Sequence, residues 1–456
     1  MPSSESVLNL IGNTPMAQVR KLDTGPCELF LKLESQNPSG SIKDRIALAM
    51  VEAAEREGKL KPGGLLVEGT AGNTGLSLAL VAAQKGYRLM LVIPDKMSQE
   101  KIFHLRAMGA EVVLTRSDVV KGHPEYYQDL AERLAKENDG FYVNQFANPH
   151  NPEAHEASTA PEIWEQMGHK LDAVVCGVGS GGTLSGIGHF FQKTAPHVEM
   201  VLADPKGSIL APLVNEGKEV KPGSWLIEGI GEDFIPDICD IKLAKRAYSI
   251  TDAESIANSR LLLKEEGLFG GSSTGTLLAA ALKYCREQTE PKRVVSFVCD
   301  SGNKYLSKMY NDYWLEDQGF LSREHSGDLR DLIVRPHASK NAVTAAPGDT
   351  LQAAYRRMRM YDVSQLPVME NGKLVGILNE TDLLMAITRP GQNFDQPVAD
   401  AMKKNLVTID RKQAMEDLLP IFERDMVALV MDGQDFLGLI TPIDLLQYLR
   451  KKAGYV

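Results

Sequence analysis

The stretch "NPSGSIKDR", Asn37 to Arg45, places a lysine in the first turn of what the next residues mark as a helix. Apolar side chains at Ile42, Ile46, Met50 and Ala53 fall close to helical spacing, with a Pro38–Gly40 turn before them and Ser39 or Ser41 placed to cap. A cation there faces the partial positive charge of unpaired N–H groups. The ammonium form is disfavoured, and Lys43 becomes easier to deprotonate and more nucleophilic. The competing reading is an exposed lysine balanced by its neighbour Asp44.

Three glycine-rich loops could serve such an amine. "CGVGSGGT", Cys176 to Thr183, follows the apolar run "LDAVV" and opens a helix, an arrangement that aims backbone N–H groups at a phosphate. Ser180 and Thr183 add hydroxyls suited to a compact dianion. The same segment fits a dinucleotide fingerprint through Gly177, Gly179 and Gly182, with Asp204 where a ribose-binding acid would stand, so alone it allows both readings. "EGTAGNTG", Glu68 to Gly75, offers Thr70, Asn73 and Thr74 at a helix start, enough to grip a carboxylate or merely to cap. "FGGSSTGT", Phe269 to Thr276, sets Ser272 and Ser273 to donate one neutral hydrogen bond, or again only to start a helix. A nucleophilic lysine, a phosphate cradle, a carboxylate grip and a neutral donor together fit pyridoxal phosphate.

The elements that must position these residues alternate. From about Leu29 to Cys299, short apolar runs such as "LLVEG", "LMLVIP" and "RVVSFVCD" are separated by helical patterns, which predicts an α/β fold with parallel sheets and ligands beyond the carboxyl ends of the strands. The tail is different in kind. "LPVMENGKLVGILNETDLL" (366–384) and "ALVMDGQDFLGLITPIDLL" (428–446) superpose at an offset of 62, a duplicated unit of strand, turn, strand and helix. Neither copy can bury its own sheet, so the two are expected to pack as one α+β module. The expected domains are 1–321 for catalysis, a polar linker at 322–331, and 332–456 for the module, with repeats at about 332–390 and 396–454.

Net charge is −10, and the tail from Leu329 is neutral with 16 basic and 16 acidic residues, so no basic stripe offers itself to nucleic acid. Five cysteines without a C-x-x-C pair argue for a reducing compartment and against a structural metal site. No secretory leader and no apolar run of spanning length is visible, so a cytoplasmic protein without a membrane partner is expected.

With these residues in hand, the chain resembles the β-family (fold type II) of pyridoxal-phosphate enzymes and, within it, the cystathionine β-synthases. "LIGNTPM", "LKLESQNPSGSIKDR", "EGTAGNTG", "NQFANPHNPEAH", "GVGSGGTLSGI", "IEGIGEDFIP" and "GGSSTGT" stand in the family's order across residues 6 to 305. The tail is similar to the paired CBS repeats, a Bateman module, of that family. The resemblance implies two parallel-sheet lobes, Lys43 joined to the cofactor as an imine, and Gly179, Ser180, Gly181, Gly182 and Thr183 around its phosphate. It implies Asn73 on the pyridine oxygen, Ser272 facing the ring nitrogen, and Thr70, Ala71, Gly72, Asn73, Thr74 and Gln145 on the substrate carboxylate. A neutral hydroxyl at the ring nitrogen makes the cofactor a weaker electron sink, which favours loss of a β-substituent over transamination.

The implied reaction condenses L-serine with L-homocysteine to L-cystathionine, with hydrogen sulfide production as a variant. A cysteine synthase using O-acetylserine or serine with sulfide is the alternative. Glu156 and Glu232 stand where haem-containing relatives carry tyrosines, and Glu232, with Glu156 or Asp233, is the expected partner of the homocysteine ammonium, or else part of a solvated acidic rim. The haem-binding extension is missing, so no haem is expected. In the module, Asn379-x-x-Asp382 and Thr441-x-x-Asp444 recur at one place in each repeat, where an acid can bind both hydroxyls of a ribose in S-adenosylmethionine or another adenosyl ligand. Val363 and Ser364 replace the aromatic residue and aspartate of responsive relatives, which leaves a purely structural module open. A homodimer is expected by resemblance.

Overall fold

The computed structural model describes residues 5–70, 72–95, 97, 99–119, 122–322, 325–337 and 342–453. It divides into two compact units, Met1–Asn311 and Asp312–Val456.

Among its described residues the N-terminal unit holds ten strands: β1 (Met16–Gln18), β2 (Glu28–Lys32), β3 (Leu65–Gly69), β4 (Arg88–Pro94), β5 (Glu111–Thr115), β6 (Phe141–Tyr142), β7 (Ala173–Cys176), β8 (Glu199–Pro205), β9 (Ala244–Ile250) and β10 (Arg293–Phe297). One sheet runs β1-β2-β10-β7-β8-β9 and the other β5-β4-β3-β6. Every pairing is parallel except β1 with β2, where the short β1 folds back on the edge. The parallel strands read as nearly unbroken apolar runs because helices cover both faces, and β3 and β7 are buried along their whole length. The two lobes have separate cores, one around Leu31, Val174, Val201 and Val294, the other around Ile46, Leu66, Leu76 and Leu91.

The helix Lys43–Arg56 begins at the lysine itself. Ile46, Met50 and Ala53 on its inner face are fully buried. Two residues past the lysine, the Arg45 guanidinium forms a fork on Glu34 (Nε to Oε2 and Nη2 to Oε1, both 2.8 Å) and reaches Glu162 at 2.7 Å through Nη1 and Nη2. Lys32 Nζ completes the group, donating to Glu162 Oε2 at 2.8 Å and to the Thr14 carbonyl at 2.7 Å. Two cations and two carboxylates thus balance in a site from which water is nearly excluded.

In the C-terminal unit, β11 (Gln365–Glu370) and β12 (Lys373–Asn379) form the hairpin of the first repeat, followed by the helix Glu380–Ile387. In the second, β13 (Thr408–Asp410) pairs with β14 (Ala428–Asp432), which turns back into β15 (Asp435–Ile440) before the helix Pro442–Lys452. The register slips at Val368/Met369 in one hairpin and at Val430/Met431 in the other, equivalent positions at the 62-residue offset. The division between the units falls ten residues before the expected end of the catalytic domain. Leu329, inside the expected linker, sits with Leu332 on a 3-10 turn, buried with Ile333 against Val430 and Ile440. Charged neighbours hide Leu329 in the sequence. Among the described residues, no helix is long and apolar enough to cross a membrane.

Replacing Arg45 by Met strands Glu34 without a cation and leaves Glu162 only Lys32, and urea denaturation is expected to show a loss of roughly 3–5 kcal/mol. Burial pushes the Glu162 carboxyl up, but Arg45 and Lys32 outweigh it and hold it at about 2. Its folded value lies below the unfolded one of about 4.3, so its contribution is complete above that pH and is lost as pH falls towards 2. Acid titration of unfolding is expected to show this component in full in the parent and reduced in Arg45→Met, where Lys32 alone still faces Glu162.

Candidate active site

The loops after β3, β7 and β10 converge on Lys43. The amine is half-buried, burial pushes its pKa down against the pull of Cys299, Asp300 and Glu232, and it makes no hydrogen bond or ion pair among the described residues. Asp44 does not balance it. That carboxylate accepts instead from the Ser39 amide at 2.7 Å, from the Ser39 hydroxyl and from Ser77 Oγ at 2.6 Å. Ser41 Oγ accepts from the Lys43 amide at 3.3 Å.

Lys43 shares a pocket with Asn73, Gly179, Ser180, Gly181, Thr183, Ser273 and Cys299. The backbone N–H groups of residues 179–183, between β7 and the helix Gly182–Thr194, make no hydrogen bond among the described residues. Side chains are excluded from this loop: a Cβ on Gly179 would lie 2.5 Å from the Gly229 carbonyl oxygen, and one on Gly181, at φ +90°, 2.4 Å from the Cys239 Cβ. Bare amides at a helix start, pointing into the pocket that contains a depressed amine, fit a phosphate-bearing aldehyde. Thr183 Oγ1 lies 3.3 Å from His155 Nε2, and His155 Nδ1 2.9 Å from Thr159 Oγ1. Burial, with Lys43 and Arg45 nearby, keeps that imidazole neutral.

An adjoining cavity of about 610 Å³ is lined by Lys43, Thr70, Gly72, Thr74, Gln145 and Glu232, among others. Thr74 Oγ1 donates to Gln145 Oε1 at 2.7 Å, leaving the Gln145 amide nitrogen near Glu68 Oε1 at 3.4 Å. Glu68 is wholly buried, and burial pushes it up to about 8. Ala71 lies outside the described residues. Glu232 faces the cavity with no hydrogen bond to its carboxyl among the described residues; burial, then Asp233 and Asp204, push its pKa well up while Lys43 opposes. Glu156 is directed elsewhere, paired with Lys193 at 2.5 Å, and Asp233 is exposed.

Ser272 accepts from the Glu228 amide at 3.1 Å, and it is Ser273 that lines the lysine pocket. Asp204, the acid of the dinucleotide reading, is buried and accepts from the Ala211 amide at 2.8 Å inside the helix Leu210–Glu216. It serves the helix start and is closed to a ribose.

In the C-terminal unit, a cavity of about 660 Å³ is lined by Val363, Ser364, Gln365, Thr441 and Asp444. Asp444 Oδ2 accepts from the Thr441 amide at 2.7 Å and its hydroxyl at 2.6 Å. Asn379 and Asp382 close a matching capping box but do not line this cavity, and Asp382 pairs with Lys403 at 2.9 Å.

The pyridoxal-phosphate dependent enzyme family matches residues 7–300, and the CBS domain matches 329–389 and 398–451. Cystathionine beta-synthase from Saccharomyces cerevisiae is 35% identical, covering 98% of each chain. Those of Dictyostelium discoideum and Apis mellifera are 36% and 34% identical over 98% of this chain and 92% and 90% of theirs. The chain belongs to the cystathionine beta-synthase family. It is a pyridoxal-phosphate enzyme, and the dinucleotide reading falls. Among solved structures, a hydrogen sulfide-producing enzyme from Fusobacterium nucleatum matches 67% of this chain and all of its own at 37% identity and a TM-score of 0.61. O-ureido-L-serine synthase matches 69% and all of its own at 34% and 0.63. Both bear out fold type II for the catalytic half.

His155, Asp300 and Lys304 were missed in the sequence. Asp300 ends "RVVSFVCD", at the carboxyl end of β10, where ligand-binding loops are expected, and that position was its available signal. His155 lies in "NPEAHEAST", on a π-helical turn over His155–Thr159 that nothing in the residue pattern announces.

Gly181→Ala is expected to leave the fold intact and to empty the phosphate loop. The ratio of visible to protein absorbance in the purified variant should fall severalfold relative to the parent.

Proposed function

We propose that the chain condenses L-serine with L-homocysteine to L-cystathionine and water. The observation that carries this reading is a single cavity that brings Lys43 and the Thr70–Thr74 loop with Gln145 together with the unpaired carboxyl of Glu232. When bound, pyridoxal phosphate supplies the electron sink that lets the bonds at Cα and Cβ of an amino acid break. The chain's residues do the rest. Gly179 to Thr183 hold the phosphate through amides and hydroxyls, Asn73 faces the ring oxygen, and Ser272 or its neighbour Ser273 offers the ring nitrogen a neutral hydroxyl. Thr70, Ala71, Gly72, Thr74 and Gln145 hold the serine carboxylate.

Lys43 would hold pyridoxal phosphate when it is bound, and the Lys43 amine, once free, would take the serine Cα proton. Its depressed pKa supports that role, since a neutral amine is the form that can accept a proton. The β-hydroxyl leaves as water with that proton, and as the homocysteine sulfur bonds to Cβ its thiol proton replaces the one lost from Cα, returned through Lys43. Homocysteine brings an ammonium that sulfide lacks, and Glu232, neutral while the cavity is empty, gains its charge as that ammonium arrives. Glu232→Gln is therefore expected to raise the homocysteine KM roughly tenfold, about 1.4 kcal/mol, with a smaller change for serine. A homocysteine KM equal to the parent's would remove this role and favour the cysteine synthase reading with sulfide.

The C-terminal module, on the same reading, binds an adenosyl ligand at Thr441 and Asp444. Its cavity, and the CBS-domain match, support that choice. Asn379 and Asp382 mark the equivalent place in the first repeat, where Lys403 already occupies the acid. Calorimetry with S-adenosylmethionine, AMP and ATP is expected to give heat with at least one, lost in Asp444→Ala; no heat with any would make the module structural. A homodimer in a reducing, cytoplasmic compartment belongs to the same reading, supported by the family and by five free thiols.

A further inference from the structure

The amide of Asn73 is oriented from both ends. Its Oδ1 accepts from Lys304 Nζ at 2.7 Å, and its Nδ2 donates to Asp300 Oδ2 at 2.8 Å. An amine in this contact donates and a carboxylate accepts, so the two partners fix which end of the amide is oxygen and which is nitrogen. The partners are themselves held. Lys304 Nζ also donates to the Gly40 carbonyl at 3.2 Å, in the turn that leads to Lys43. Asp300 is wholly buried, and its Oδ2 also accepts the Tyr305 hydroxyl at 2.7 Å. Gly271 packs so closely that a Cβ there would lie 2.1 Å from Asp300 Oδ1. Burial pushes the Lys304 amine down, Asp300 and Asp44 pull it back, and Lys101 adds to the depression; His104 also feels its charge.

We propose that Lys304 and Asp300 are positioning residues that lock the Asn73 amide so that it presents its remaining N–H, and not its carbonyl, to the ring oxygen of the cofactor. This rests on the reading that Asn73 faces that oxygen. With Oδ1 held on the amine and one hydrogen of Nδ2 on the carboxylate, the amide cannot flip, so the second hydrogen of Nδ2 keeps a fixed direction and Asn73 can present it to the pocket it shares with Lys43. A donor there stabilises the ring oxygen as an anion, whereas a carbonyl would favour its protonated form. The lock therefore sets the protonation state of the cofactor before any substrate arrives. The catalytic scheme assigns no task to either residue.

The test is the absorption spectrum of the substrate-free holoenzyme, compared among the parent, Lys304→Met, Lys304→Arg and Asn73→Ala. Lys304→Met is expected to lose intensity in the visible band of the bound cofactor with a matching gain in the near ultraviolet, and Lys304→Arg, which keeps a donor, to recover part of it. A parental spectrum in Lys304→Met beside an altered one in Asn73→Ala overturns the lock and spares the Asn73 reading. A parental spectrum in Asn73→Ala overturns both. Asp300→Asn, which no longer forces the nitrogen end, is expected to show the same shift and decides the matter should Lys304→Met fail to fold.

Discussion

The buried ion group around Arg45 is the constraint on which the active site depends. A guanidinium forked on Glu34 and reaching Glu162, with Lys32 behind, fixes the first turn of the helix that begins at Lys43. Such a group is a poor source of net stability, because taking four charges out of water costs about as much as their attraction returns. What it provides is register. A guanidinium with five directed donors accepts one placement of its partners, so the residue two before it cannot drift along or around the helix axis. On the proposed reading the amine needs that precision, since it would meet a cofactor whose phosphate another loop would hold.

The second requirement is a place for positive backbone charge to be used. Lys43 stands at a helix start that disfavours its charge, while the N–H groups of residues 179–183, at another helix start, are left unpaired for an anion. The depressed pKa of Lys43 comes from burial, and the open amides of residues 179–183 fit an anion in the same pocket. The carboxyls obey the opposite rule: Glu68 and Glu232, buried without a cation in contact, are pushed towards neutrality. A site that must accept substrate carboxylates gains from having no fixed negative charge behind it.

Much of this was legible in the residues. Alternating apolar runs and helical patterns announced a parallel sheet, the resemblance its two lobes, and the 62-residue repeat the module; the matching register slips at Val368 and Val430 came only with the structure. Lys43, the glycine loop and the Thr70–Thr74 loop were legible because each is local: a few adjacent residues at an element's end carry the whole signal. Leu329 was not, since a leucine among charges looks like a linker until a core exists for it. Glu156 was read towards the cavity from its neighbourhood in "AHEAST", and a helix-face pairing with Lys193, 37 residues later, took it away.

The sequence by itself determined the chemistry available, because the residue types and their short spacings state which groups can donate, accept or attack. Tertiary structure alone decided which of them meet: that Asn73 lies between Lys304 and Asp300, more than two hundred residues on, that Ser273 and not Ser272 lines the lysine pocket, and that Thr441 and Asp444 line a cavity that Asn379 and Asp382 do not. Long-range contacts of this kind depend on how sheets and helices pack, and no local pattern of residues encodes the distance between two loops that only the folded cores bring together.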